Sequence, residues 1–317
     1  MLAPSERLRG LRPSVIGTAS SRTRIARDFR ATLLSYWRLT KPRIIGLLVI
    51  TTIPAMMLAG GGMPSAWLVL VTVVGGSIVA GGANAMNMYL DRDIDELMLR
   101  TRGRPVPAGQ VEPLQAALFG LVLAAAGFLL LHTFANLLAA SLTIAAFAFY
   151  VVVYTLVLKR STPMNIVIGG AAGAAPPLVG WAAVTGEIGM PALLMFLIIT
   201  AWTPPHFWAL SLNYASDYKR AGVPMLPVVS GKDETKRQIF FYSIVLVATT
   251  IALAIWSDAG AVYLSAATLL GTLFLYYAYR LVREFSMRNS LALFRYSLVY
   301  LALLFGAIAV DVLVRTA

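Results

Sequence analysis

Apolar residues in this chain gather into long, nearly unbroken runs instead of alternating with polar ones. Nine such segments can be drawn, at roughly 44–60, 65–86, 114–131, 137–157, 165–184, 191–212, 239–256, 261–279 and 291–313. Each holds about 17–22 residues, and at about 1.5 Å of rise per residue a helix of that length crosses a hydrocarbon core of about 30 Å. The pattern predicts an all-α, polytopic integral membrane protein with about nine transmembrane helices.

Composition agrees. Of 317 residues, 59% are hydrophobic and 13% charged, about half the charged share of a soluble protein, and the mean hydropathy is +0.76. The absence of cysteine removes disulfides, thiolate metal sites and cysteine nucleophiles, and leaves the redox compartment open. A net charge of +12 would point a soluble protein towards nucleic acid. In a membrane protein the placement of the basic residues carries the information, so the expected partner is the lipid bilayer and no nucleic acid.

That placement is uneven. Lys and Arg crowd the N-terminal tail and the connections after the second, fourth, sixth and eighth segments, whereas the connections after the first, third, fifth and seventh hold none; Arg315 at the C-terminus is an exception. The positive-inside rule then puts the N-terminus and the even-numbered loops in the cytoplasm. A multi-pass protein of the cell inner (plasma) membrane is expected. The basic, acid-poor stretch 1–35 reads as a flexible cytoplasmic tail, or as a mitochondrial transit peptide, which would move the protein to the mitochondrial inner membrane. Residues 36–317 form the membrane domain. Glycines recur inside the segments, as in the run 168–177 (IGGAAGAAPP). They allow close helix packing, and Pro176–Pro177 adds a break tolerated only against protein or a wet cavity. An internal chamber is expected.

Two internal loops, about 90–113 and 213–238, are long and chemically dense. In the first, Asn87, Asp91 and Asp95 lie four apart, which stacks them on one helix face. Neighbouring carboxylates repel, so such a face is suited to a hard cation held through oxygen; ordinary charge at a solvated helix end is the plainer alternative. Arg100, Arg102 and Arg104 follow, and acids for a divalent metal beside arginines for phosphate oxygens suit a diphosphate. The second loop repeats the theme with Asn213, Asp217, Lys219 and Arg220. A third set is Tyr154, Lys159, Arg160 and Asn165, with Lys159 placed to neutralise a leaving diphosphate and Tyr154 to hydrogen-bond it. Lys41 and Arg43 are either anchors or further phosphate contacts. His206, inside an apolar and aromatic segment, is costly without a partner and is a candidate metal ligand or base; a hydrogen-bonded packing histidine is the alternative. His132 is read as incidental.

At these residues the chain resembles the UbiA superfamily of intramembrane prenyltransferases, and within it the branch that farnesylates heme b. The matching text is YWRLTKPR at 36–43, NMYLDRDID through RTRGRPVPAG at 87–109, the stretch 158–186, TPPHFWALSL at 203–212 and DYKRAGVPMLPVV at 217–229. The resemblance covers about residues 36–313. It implies a UbiA-type bundle with a cytoplasm-facing cap over the active site. It implies transfer of farnesyl from farnesyl diphosphate to a vinyl group of heme b, with water adding as hydroxyl, Mg²⁺ as the cofactor and heme as substrate. It further implies Asn87, Asp91, Asp95 and Asp217 as metal–diphosphate ligands, with Asn213 in support. Arg102, Arg104, Lys159, Lys219, Lys41 and Arg43 become diphosphate contacts, and Asp91, Asp95, Tyr154 and Lys159 the catalytic set. Heme gives His206 a role as iron ligand, and Phe207, Trp208 and Tyr154 are candidates for the chamber lining. Heme A synthase or terminal-oxidase assembly factors are implied partners. Where many members carry a second aspartate in the second loop, this chain has Asn213 and Ala221, so one bound Mg²⁺ or two remains open. A transferase acting on a quinone precursor or a chlorophyll-like ring is the nearest rival. A transporter with the Asp-rich loop as its cation site is a rival of another class, but the acids cluster at the membrane boundary and not at the midplane.

Overall fold

The computed structural model describes residues 21–316, except for the side chains of residues 21–28, 43 and 44. Residues 1–20 of the N-terminal tail, and the Arg43 side chain expected to contact phosphate, thus lie outside the described residues. All the described secondary structure is helical.

Thirteen helices account for it. Helix α1 (Ser21–Leu39) leads through Lys41 into α2 (Pro42–Gly60), and α3 (Ala66–Leu90) continues almost without pause into α4 (Arg92–Leu97). After a loop come α5 (Pro113–Phe134), α6 (Leu137–Ser161), α7 (Asn165–Thr185) and α8 (Met190–Ser211). Two short helices, α9 (Ala215–Arg220) and α10 (Leu226–Val229), precede α11 (Gly231–Trp256), α12 (Ala261–Arg283) and α13 (Met287–Thr316). Among the described residues, eight helices are long and apolar enough to cross a membrane: α3, α5, α6, α7, α8, α11, α12 and α13. The remaining apolar segment, the first in the chain, is the shorter apolar stretch Ile45–Gly60 of α2. The chain is a multi-pass membrane protein.

Small residues set the closest crossing. A Cβ on Gly82 would lie 2.5 Å from the Gly120 carbonyl oxygen, and one on Gly127 2.7 Å from that of Gly75. Backbone therefore meets backbone between α3 and α5 at two levels, the arrangement that stabilises helix pairs where no hydrophobic drive exists. This crossing holds the end of α3, and so the Asp-rich stretch, against its neighbours.

Helices α6, α7 and α8 carry irregular stretches beside the same interior space. In α6 the turns over Phe149–Leu158 widen to the π form. Helix α7 breaks at Ala174, because Pro176 and Pro177 have no N–H to give the preceding turn. Helix α8 runs through Pro204 and Pro205, which likewise free two carbonyls. Irregular backbone of this kind is tolerated at membrane depth only where it is buried in protein or lines a cavity.

Candidate active site

The spacing of Asn87, Asp91 and Asp95 produces the expected face. The Asp91 N–H bonds to the Asn87 carbonyl at 2.9 Å and the Asp95 N–H to the Asp91 carbonyl at 2.8 Å, so the helical ladder carries on across the bend at Asp91. All three side chains are buried, at 4%, 0% and 1% exposure, which removes the solvated helix end as an explanation.

Cations interleave with these oxygens. Lys159 Nζ lies 2.5 Å from Asp91 Oδ2, and Arg104 Nη1 reaches both Asp95 oxygens at 2.7 and 2.8 Å. Lys41 Nζ donates to Asn87 Oδ1 at 2.9 Å, while Asn87 Nδ2 donates to Asp91 Oδ2 at 2.6 Å and to Thr155 Oγ1 at 3.2 Å. Burying any one of these charges alone would be costly; alternating signs offset much of that cost. Lys41 shows what remains. Loss of solvation, with Arg104 and Lys159 as neighbours, holds its ammonium far below the usual lysine range, at about 7. Its backbone is also left-handed, at φ 51°, a strained conformation of the sort found at ligand clamps.

The inward aim of Lys159 depends on the widened turns. The Lys159 N–H bonds to the Tyr154 carbonyl, five residues back, and Thr155 Oγ1 bonds to the Tyr150 carbonyl, also five back. A five-residue step brings Tyr154 and Lys159 onto one side, where an α-helical turn would set them apart. Tyr150 and Tyr154 stack with centroids 5.4 Å apart.

The second loop joins through one latch. Arg100 Nη2 donates to the Tyr218 hydroxyl at 2.9 Å, with the guanidinium 5.3 Å from the ring centroid. Burial pushes the Tyr218 phenol up. Asp217 is buried and paired with Arg220, and the Asn213 amide donates to Ser290 Oγ at 3.0 Å. Arg160 forks onto the exposed Asp93 through two 2.7 Å bonds, and this hydrogen bonding draws that carboxyl down to about 2. The sequence reading thus finds Lys41, Asn87, Asp91, Asp95, Arg104 and Lys159 in one cluster. Arg102 and Lys219 are exposed, and their side chains have no bonding partner among the described residues. Arg100, expected among the phosphate contacts, turns to Tyr218 instead, and Tyr150, Thr155 and Tyr218 have no role in the sequence reading; the odd Tyr150–Tyr154–Lys159 spacing is the one signal for them.

The donor set can be tested against a metal. Asp91 Oδ1 is a buried carboxylate oxygen without a hydrogen-bond partner, 4.0 Å from Arg160 Nη2, an acceptor left open beside its engaged Oδ2. No group of three or more acids or histidines is gathered for a metal among the described residues. Mg²⁺ bound by one or two carboxylates and completed by substrate phosphates needs no such group. The residues fit that kind of site.

Beneath the cluster lies a chamber of about 530 Å³, bordered by α2, α3, α6, α7, α8 and α13. Asn84, Tyr150 and Tyr154 line its polar end, and Gly76, Gly173 and Phe207 are among its apolar residues. A Cβ on Gly76 or Gly173 would meet nothing within 4 Å, so both open onto free space. Trp208 does not line the chamber as expected. It is wholly buried and packs edge-on to Tyr242, with centroids 5.8 Å apart, because its position on α8 faces α11. His206 does line it, stacked between Trp202 and Phe294 with centroid distances of 4.1 and 4.7 Å.

A model of the UbiA prenyltransferase family matches residues 48–306. The protoheme IX farnesyltransferase of Gloeobacter violaceus is 54% identical over 282 residues, spanning 89% of this chain and 92% of that protein. Protoheme IX farnesyltransferase 1 of Saccharopolyspora erythraea is 52% identical, spanning 89% and 91%. A protoheme IX farnesyltransferase of Roseiflexus sp. is 48% identical over 95% of this chain, which spans 57% of that longer protein. Among solved structures, that of a digeranylgeranylglyceryl phosphate synthase superposes with a TM-score of 0.74 at 20% identity, covering 89% of this chain and 98% of the other. A UbiA homolog from Archaeoglobus fulgidus bound to GPP and Mg²⁺ superposes with a TM-score of 0.61 at 17% identity, covering 87% and 99%. At these identities the structural likeness is one of fold.

Proposed function

The chain belongs to the UbiA prenyltransferase family and is a membrane prenyltransferase, and from that premise we propose that it transfers a farnesyl group from farnesyl diphosphate to a vinyl group of heme b, with addition of water. The observation that carries the substrate is the 54% identity, over nearly the full length of both chains, to a protein of that name. The chamber supports it: an apolar space under a cationic mouth takes a prenyl chain below and its diphosphate above.

Asn87, Asp91 and Asp95 would hold Mg²⁺ with the diphosphate, assisted by Asp217. The metal, when bound, supplies charge neutralisation that makes diphosphate a better leaving group. Lys159, Lys41 and Arg104 sit where they would take the phosphate oxygens in exchange for their present carboxylate and amide partners. The carbon–oxygen bond of farnesyl diphosphate breaks with its electron pair leaving on oxygen. The vinyl group attacks the allylic cation, and water adds to the resulting cation with loss of a proton. Tyr150, Tyr154 and Phe207 line the chamber, where aromatic rings would favour a cation and keep water out until the last step. His206 would ligate the heme iron and orient the ring. We further propose a plasma-membrane location with the N-terminus and the active-site mouth cytoplasmic, supported by the loop charges and by the bacterial relatives.

The test is to incubate purified protein with heme b, farnesyl diphosphate and Mg²⁺ and weigh the porphyrin. The expected product gains one farnesyl group and one hydroxyl. Unmodified heme, with prenylation of a quinone precursor instead, would overturn the substrate assignment and favour the quinone-type reading.

A further inference from the structure

His206 is held by more than its own helix. Its Nδ1 lies 2.6 Å from Ser297 Oγ on α13, and Ser297 is fully buried. A serine hydroxyl has one proton, and here Oγ donates it to the Phe294 carbonyl at 2.7 Å. Towards His206 the oxygen therefore has only lone pairs, so Nδ1 must supply the proton. Only one tautomer satisfies both contacts, and it leaves Nε2 with its lone pair free. Nε2 makes no hydrogen bond among the described residues, and the residue borders the chamber. The ring cannot readily turn over, because Trp202 and Phe294 clamp its two faces at interplanar angles of 16° and 26°. Ser297 orients the clamp as well: its carbonyl accepts the Trp202 indole N–H at 2.8 Å.

From this geometry we propose that Ser297 is a positioning residue, which locks His206 in the Nδ1–H tautomer and presents Nε2 to the chamber as the ligand for the iron of a tetrapyrrole substrate. The inference rests on the heme reading above and adds the residue that makes the histidine competent. Metal-ligating histidines commonly donate their other ring N–H to an oxygen, and losing that oxygen typically weakens binding about 10–100-fold. A packing histidine would have no use for an unpaired nitrogen facing an open space, since an unsatisfied polar atom is destabilising.

Two measurements on the full-length protein test it. The chain has two histidines, so ¹⁵N-histidine labelling, with His132→Gln to assign the second signal, reads the His206 tautomer without any ligand. The expected signal is Nδ1–H with an unprotonated Nε2; an Nε2–H tautomer overturns the proposal outright. Heme b titration followed by the Soret band is the second. Ser297→Ala should weaken heme binding about tenfold and shift the band towards an unligated form, while farnesyl diphosphate binding stays unchanged. Ser297→Thr, which keeps the hydroxyl, should restore the band. His206→Ala serves as the reference. If it alters the spectrum and Ser297→Ala does not, the positioning role fails and the ligand role stands; if His206→Ala leaves the spectrum unaltered, the ligand role itself fails.

Discussion

Two buried aspartates sit near opposite ends of the bundle, and their surroundings differ in kind. Asp311, near the end of α13, accepts the Gly260 N–H at 2.8 Å and the Tyr263 N–H at 3.1 Å, and pairs with Arg315 at 3.0 Å. Both of its oxygens are engaged, and two of its partners are backbone groups at the start of α12 that would otherwise be orphaned. The Asp91 carboxylate, at the end of α3, has only side-chain partners, and its Oδ1 accepts no hydrogen bond, with Arg160 Nη2 the nearest cation at 4.0 Å. A carboxylate with both oxygens held by fixed donors is a structural cap. One with an oxygen free of hydrogen bonds among side-chain cations suits the ligand role proposed for it. Burial alone does not separate the two, since both are about fully enclosed.

The comparison breaks most directly through the aspartates themselves. Asp91→Asn should reduce farnesyl transfer by about 1000-fold or more and lower the melting temperature less than Asp311→Asn does. Asp311→Asn should cost about 2–4 kcal/mol of stability, read by thermal unfolding in detergent, with kcat of the folded fraction kept. The reverse order of melting temperatures would end the distinction.

The cations sharpen it. Lys159→Gln should lower kcat/KM about 100-fold, or about 2.7 kcal/mol of transition-state stabilisation. Lys219→Gln and Arg102→Gln should stay within about threefold, because an exposed charge in water contributes little. A smaller effect is expected in the chamber: Gly173→Leu should fold, since its side chain enters free space, yet shift preference about tenfold from farnesyl towards geranyl diphosphate, measured by competition between the two. The smallest belongs to the exposed Arg160–Asp93 fork, where Asp93→Asn should change stability by under about 1 kcal/mol. Its carboxyl is drawn down to about 2 from 3.8. The fork therefore stabilises the fold above pH 3.8 and loses that contribution as pH falls through about 2, which acid melting curves of the two proteins would show.

Most of the helices were legible in the sequence, and so was the Asn87–Asp91–Asp95 face, because both depend on local periodicity that an α-helix turns directly into direction in space. The break at Pro176–Pro177 was legible for the same reason: a missing N–H acts on its own turn. Which arginine serves the site was not. Arg100, Arg102 and Arg104 lie in a loop region where spacing assigns no direction; Arg104 turned to Asp95, Arg100 to Tyr218, and Arg102 outward. Lys159 was named from its chemistry, but its route to Asp91 runs through π turns that a 3.6-residue period cannot foresee, and Thr155 and Tyr150 went unnoticed with it. Trp208 was expected in the chamber because it adjoins Phe207, yet consecutive helical residues point about 100° apart.

The sequence by itself determined the membrane-spanning class and the acid-rich face, since these follow from composition and from residues within a turn of one another. Only the tertiary structure decided which charges meet, which carboxylate oxygen accepts no hydrogen bond, and which nitrogen of His206 faces Ser297. Those answers depend on partners such as Ser297, 91 residues away from His206, and no local period encodes a contact between helices that distant in the chain.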